Sequence, residues 1–155
     1  MELIEKILSE ENLQKAIRKV KKNKGAPGVD KMTVQEVEEW FNQYKEELIS
    51  KILNKQYKPM SVKRVYIPKP NGKQRPLGIP TVVDRVIQQA MLQVLSEIYE
   101  PIFSDHSYGF RPNRSAHMAM EEVLGYLNDG YEWIVDLDIE KFFDTVNHDK
   151  LISIL

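Results

Sequence analysis

Apolar residues recur at helical spacing from the start of the chain: Leu3, Ile4, Ile7 and Leu8, then Leu13, Ala16, Ile17 and Val20. Positions three and four apart share one helix face, so residues 2–22 are predicted helical. Ser9-Glu10-Glu11-Asn12 offers a fresh N-cap and marks an interruption. The run ends in Lys21-Lys22-Asn23-Lys24-Gly25, basic residues at a helix C-terminus followed by a glycine stop. Thr33-Val34-Gln35-Glu36 has the capping-box pattern and opens a helix to about Leu53, with Val37, Trp40, Phe41, Tyr44, Leu48 and Leu53 apolar. Another helix begins at Thr81, an N-cap with Asp84 three residues on. Its core stripe is Val83, Val86, Ile87, Ala90, Met91, Val94, Leu95 and Ile98, and it ends near Tyr99-Glu100-Pro101. Ser115 caps a helix to about Asn128 with Gly130 as its stop, and a last helix begins at Lys150-Leu151-Ile152.

The period shortens in two places. Residues 62–79 read as a hairpin, with Val65, Tyr66 and Ile67 in one arm and Lys73 to Ile79 in the other. Asn71-Gly72 is the turn, and prolines at 68, 70, 76 and 80 suit strand ends. Lys69 and Arg75 flank the turn, the lysine a point charge and the arginine a fork, a pairing able to clamp phosphate or to solubilise an edge. The apolar run at Trp133-Ile134-Val135 is predicted to be a buried strand. It leads into Asp136 and Asp138, which leave the same face of a strand. Such a pair is either solvated at a wet strand end or provides a ligand for a hard cation such as Mg²⁺.

Composition bounds these readings. The chain of 155 residues has no cysteine, so there is neither a disulfide framework nor a thiolate metal site. No apolar run is long enough to span a bilayer. The net charge is −1, yet its distribution is uneven. Leu48 to Val83 contains no Asp or Glu but holds Lys51, Lys55, Lys58, Lys63, Arg64, Lys69, Lys73 and Arg75, a run able to track phosphates. Glu121 to Asp149 holds nine acids against Lys141 alone. Gly25-Ala26-Pro27-Gly28-Val29-Asp30 is a compact loop without Walker or Rossmann spacing. Asp105 to Ser115 interleaves aromatics with Arg111 and Arg114, a composition able to stack bases. His106 and His117 are not spaced as a zinc pair.

Five blocks in order together resemble the reverse transcriptase domain of group II intron-encoded proteins (intron maturases). They are Asn23 to Asp30, Ile67 to Gly72, Arg75 to Thr81 with Asp84-Arg85, Ser107 to Ser115, and Asp136-Leu137-Asp138-Ile139-Glu140-Lys141-Phe142-Phe143-Asp144. The resemblance implies an α+β fold, mostly helical fingers with a β-hairpin plus the first strand of a palm. Fingers would cover residues 1 to about 125 and the palm would start at about 126, running to 155.

The resemblance also implies site roles. Asp138 matches the first catalytic aspartate, a ligand of two Mg²⁺ ions, with the Ile139 backbone near the second. One ion would lower the pKa of the primer 3′-hydroxyl, and the other would stabilise the leaving pyrophosphate. Lys69, Arg75, Phe143 and Arg111 match dNTP-binding positions, Phe143 lying under the incoming sugar. Ile79 and the loop Gly25, Ala26, Pro27 and Gly28 match template-binding positions. The implied partners are intron RNA or another RNA template, a DNA primer and dNTPs, with no membrane. The implied setting is the bacterial cytoplasm, an organelle being the alternative.

The second metal-binding motif of that family, Tyr-Ala-Asp-Asp, does not occur in these residues. The chain also stops inside an apolar helix. The expectation is therefore a piece of a longer polymerase, inactive alone, whose exposed apolar surface favours a homo-oligomer. The alternatives are an RNA-binding fingers module without catalysis, or a retron, diversity-generating or defence-type bacterial reverse transcriptase.

Overall fold

The computed structural model describes residues 2–70 and 72–154, the side chain of Asp144 excepted. The elements run α1 (Leu3–Ile7), α2 (Glu10–Lys22), α3 (Val37–Leu53), β1 (Lys63–Pro68), β2 (Gln74–Ile79), α4 (Val82–Tyr99), a 3-10 turn Glu100–Ile102, α5 (Ala116–Asn128), α6 (Phe142–Thr145) and α7 (His148–Ile154). The fold class is α+β, and the chain divides into two compact units, Met1–Phe103 and Ser104–Leu155.

In the first unit the helical stripe closes a core. Leu13, Ala16, Ile17 and Val20 of α2 are all buried, as are Val82, Val83, Val86, Ala90 and Val94 of α4 and Val37, Phe41 and Leu48 of α3. Each large apolar side chain so buried contributes on the order of 1.5–3 kcal/mol. The α4 stripe is narrower than its sequence suggests, because Met91 and Ile98 stay exposed. Polar side chains fix the packing. Asn12 donates to the carbonyls of Ile7 (2.8 Å) and Ala90 (3.0 Å), and Gln93 donates to Asn12 Oδ1 (2.6 Å), so one asparagine ties α1, α2 and α4.

Several ends depart from expectation. Ser9 caps α2 as its sequence indicates, accepting from Asn12 N at 3.4 Å. The stop, however, is Lys24 in the left-handed region (φ 48°), one residue before Gly25. Lys55 repeats this after α3 (φ 58°), where Gln56 N donates to Lys51 O (2.8 Å) and Lys55 N to Ile52 O (3.0 Å), the Schellman pattern with lysine in the glycine place. At Thr33 the box half-forms: Glu36 Oε2 accepts from Thr33 N and Oγ1 at 2.7 and 2.6 Å, but the helix proper starts at Val37.

The hairpin pairs β1 with β2 antiparallel, Lys63 opposite Ile79, Val65 opposite Leu77 and Ile67 opposite Arg75. Beyond the strands, Lys69 N donates to Lys73 O (2.7 Å) and Gly72 N to Lys69 O (3.0 Å). Gly72 takes the left-handed conformation (φ 75°), the place of the bulge residue in a three-residue hairpin loop rather than a centre of a two-residue turn. Asn71, the other expected turn residue, lies outside the described residues, as does Leu155.

The second unit has little interior. Ser115 caps α5, accepting from Met118 N at 3.3 Å. The helix stops at Gly130 (φ 93°), with Gly130 N on Leu127 O (3.1 Å), Tyr131 N on Tyr126 O (3.1 Å) and the two tyrosine rings edge-to-face at 6.0 Å. No described residue of α5 or α7 is buried. The expected strand from Trp133 into the Asp136 and Asp138 pair is absent: these residues form no regular element, and Trp133, Val135 and Leu137 are 94%, 82% and 89% exposed. A strand needs a neighbour to take its backbone hydrogen bonds. Among the described residues the only ladder is β1–β2, so this apolar segment has nothing to pair with.

Candidate nucleotide and nucleic-acid site

On the hairpin, alternation fixes which side chains share a face. Lys63, Val65 and Ile67 lie opposite Ile79, Leu77 and Arg75, and Lys69, two residues past Ile67, continues that row. Lys69 and Arg75 are therefore diagonal neighbours beside the turn, within reach for long side chains. Ile79 closes the same face at the far end. Between them lie Val65 and Ile67, with Leu77 across. Ile67 (48%) and Leu77 (42%) remain exposed, so the face is apolar in the middle and cationic at the tip. The sequence carries no acid from Leu48 to Val83 to neutralise it.

The Gly25–Asp30 loop lies on the entrance to α4. A Cβ at Gly28 would sit 2.8 and 2.9 Å from Thr81 Cα and N and 3.0 Å from Pro80 O, all backbone. A Cβ at Gly25 would meet Arg85 Nη1 at 2.2 Å. Both glycines thus permit close approach of the chain to itself. Arg85 Nη2 donates to Ala26 O at 2.8 Å, while its Nε is buried without a partner. Burial lowers the Arg85 pKa, and the Asp30 charge opposes that.

Beneath this entrance sits Asp84, 4% exposed. Thr81 Oγ1 donates to its Oδ2 at 2.6 Å and Met60 N at 3.3 Å, and the Tyr57 hydroxyl donates to Oδ1. In return Thr81 Oγ1 accepts from Asp84 N at 3.1 Å, the N-cap that the sequence predicts. Burial first, and the Asp84 carboxylate second, hold the Tyr57 hydroxyl protonated well above its usual range. In the sequence Asp84 stands as the third residue after a cap and, with Arg85, in one of the family blocks. Nothing in the spacing tied Tyr57 or Met60 to it.

In the second unit Arg111 Nη1 donates to the carbonyls of Ser104 (2.5 Å) and Ser107 (2.9 Å), so it braces its own loop. Arg114 Nη2 reaches Asp105 Oδ1 at 3.1 Å, and its guanidinium lies 5.7 Å from the centre of the Tyr108 ring. Glu122 accepts from Tyr108 and contacts His106 Nδ1, and the Tyr126 hydroxyl donates to Oε1 at 3.1 Å. The Tyr108 bond first, then His106 and Tyr126, lower the Glu122 pKa against the partial loss of water around it, which raises it. This carboxylate cluster had no signal in the sequence pattern.

Asp138, Ile139 and Phe143 are exposed, Phe143 at 89% with its ring 5.6 Å from that of Phe142. Lys141 (φ 50°) turns the chain into α6. Carboxylate and carbonyl oxygens are the right donors for Mg²⁺. Among the described residues, however, no group of three or more His, Asp or Glu converges. Asp138 offers one such oxygen donor, and the described residues do not by themselves fit a two-ion centre.

Residues 67–155 match the family described as reverse transcriptase (RNA-dependent DNA polymerase). The protein YkfC of Escherichia coli is 40% identical over 157 residues, covering 97% of this chain and 41% of that protein. The group II intron-encoded protein LtrA of Lactococcus lactis is 44% identical over 117 residues, 72% of this chain and 19% of LtrA. Nuclear intron maturase 1, mitochondrial, of Arabidopsis thaliana is 32% identical over 76 residues, 49% of this chain and 10% of that protein. The chain spans less than half the length of these relatives. It belongs to the reverse transcriptase family and is similar over most of its length to a group II intron-encoded member.

Proposed function

We propose that this chain is a part of an RNA-directed DNA polymerase encoded by a group II intron, comprising the fingers and the opening of the palm. The parent protein copies intron RNA into DNA by metal-assisted nucleotidyl transfer and aids splicing as a maturase. The observation that carries this reading is the hairpin face, where Lys69, opposite Lys73, is the diagonal neighbour of Arg75 at the tip of an acid-free segment. That pair is suited to gripping a triphosphate: Arg75 can fork onto two oxygens while Lys69 supplies a compact charge. Ile79 and the Gly25–Gly28 loop, both next to the start of α4, are assigned to the template, and Phe143 and Arg111 to the incoming nucleotide. Asp138, with the Ile139 carbonyl, is assigned as a part of the donor set for Mg²⁺. Among the described residues no helix is long and apolar enough to cross a membrane, and a bacterial cytoplasmic setting fits the E. coli and L. lactis relatives.

A single carboxylate is too few for the reaction, so the 155 residues alone bind RNA without extending a primer. The basic run favours this reading of the isolated chain. Incubation with a primed RNA template, dNTPs and Mg²⁺ is expected to give no extended product, while RNA binding weakens steeply with salt. Processive synthesis by the isolated chain would overturn the first expectation, and binding that is absent or indifferent to salt would overturn the second. Self-association through exposed apolar surface, such as Trp133 and Val135, is expected in light scattering at high concentration; monomer throughout would contradict it.

A further inference from the structure

A cavity of about 540 Å³ opens along α3 between Trp40 and Lys51. Its walls include Trp40, Tyr44 and Tyr57, and its charged groups are Lys51, Lys58 and Glu47. We propose that this cavity receives an unstacked base of single-stranded RNA, with Lys58 on a flanking phosphate. The inference rests on the RNA-binding reading above and names where one base is held.

The walls are aromatic and reachable. The Trp40 and Tyr44 rings lie 5.3 Å apart, tilted by 40°, and Tyr44 is 39% exposed. Stacking on such faces tolerates any base, because every base has a π-face. The floor is held in place. Asp84 takes the hydroxyls of Tyr57 and Thr81 and the amide of Met60, all three of them lining residues. The loop that brings Tyr57 and Lys58 is itself tied back to α3, with Gln56 N and Tyr57 N both donating to Lys51 O at 2.8 and 3.0 Å. The volume falls within the roughly 300–1,000 Å³ typical of ligand pockets.

Charge selects among occupants. The one lining acid, Glu47, is ion-paired to Lys51 at 2.6 Å, which leaves Lys58 to set the sign of the rim. A cationic side chain would meet like charge there. An apolar peptide segment would strip water from the lysines without replacing it. A base carrying its own phosphates meets aromatic walls and cationic rim together.

The test uses the full chain with Trp133→Phe, so that Trp40 is the sole tryptophan reporting. Trp133 is 94% exposed, which makes that change benign. The probe is a short single-stranded oligoribonucleotide, followed by anisotropy and by Trp40 emission. Saturable quenching with the same midpoint as anisotropy is expected. Tyr44→Ala should weaken binding about fivefold or more, the low end for one lost base stack. Lys58→Gln, at an exposed position whose change does not threaten folding, should lower the salt slope by about one phosphate contact. If anisotropy reports normal binding while Trp40 emission and both variants are unaffected, the cavity is refuted and RNA binding stands. If no RNA binds at all, both fall.

Discussion

Asp84→Ala tests the account of the first unit most sharply. The carboxylate is almost fully buried and accepts from the Tyr57 hydroxyl, Thr81 Oγ1 and Met60 N, besides standing in the first turn of α4. Hydrogen bonds to a charged group contribute about 1.5–3 kcal/mol each. They will not all be lost in full. Tyr57 is half-buried at a cavity of about 540 Å³ and Met60 is exposed, so water can reach both; Thr81 lines that cavity too but is only 2% exposed, so its hydroxyl is not rehydrated without rearrangement. The 3.3 Å bond from Met60 is also long and weak. One full loss and two partial ones amount to about 3 kcal/mol. Urea unfolding followed by Trp40 emission, on a Trp133→Phe background, reads that difference from the shift in midpoint. Tyr57→Phe alone should cost about 1–2 kcal/mol, and almost nothing once Asp84 is already alanine, because its acceptor has gone. Additive effects, or a change below about 0.5 kcal/mol for Asp84→Ala, would refute the anchoring role.

Three further outcomes follow from the same geometry. Gly28→Ala should destabilise by about 1–3 kcal/mol, since the new methyl meets the backbone of Pro80 and Thr81 rather than a movable side chain; an unchanged urea midpoint would contradict it. Lys55→Gly should raise stability by about 0.5–1 kcal/mol, because glycine relieves the left-handed residue at φ 58° at an entropic cost smaller than the strain removed; a lowered midpoint would count against it. The Glu122 cluster should loosen in acid. Its folded pKa lies below the ordinary 4.5, so its stabilisation is complete above that value and fades as pH falls through the lowered pKa. Amide exchange in α5 should accelerate on that descent in the parent chain but not in Glu122→Gln; equal pH dependence in both would sink the assignment.

The sequence made the first unit legible and the second much less so. Leu13, Ala16, Ile17 and Val20 are buried together because an amphipathic helix needs only a partner of like pattern, and α4 supplies one within the chain. Caps are equally local, and Ser9, Thr81 and Ser115 all perform as their types predict. The stop of α2 falls on Lys24 rather than on Gly25 beside it, a position the sequence hides because lysine rarely takes the left-handed region. Trp133 to Ile139 failed for a different reason. Its apolar run encodes a strand only where another strand can pair with it, and pairing is a property of the whole sheet. The Asp84 and Glu122 clusters join residues 27 and 14–16 positions apart, distances at which one sequence carries no pairing signal. Five motif blocks in order carried the family, while the glycines of the first block carry a steric role against Thr81 and Arg85 that the motif alone did not disclose.

The central claim is that Asp138 belongs to the metal-binding set of an RNA-directed DNA polymerase. Primer extension on an RNA template by the full-length protein that contains this chain, with and without Asp138→Asn, tests it most directly. The account predicts that the variant folds and binds primed template as the parent does, yet extends it slower by orders of magnitude at every Mg²⁺ concentration. Extension by Asp138→Asn at the parent rate would contradict it.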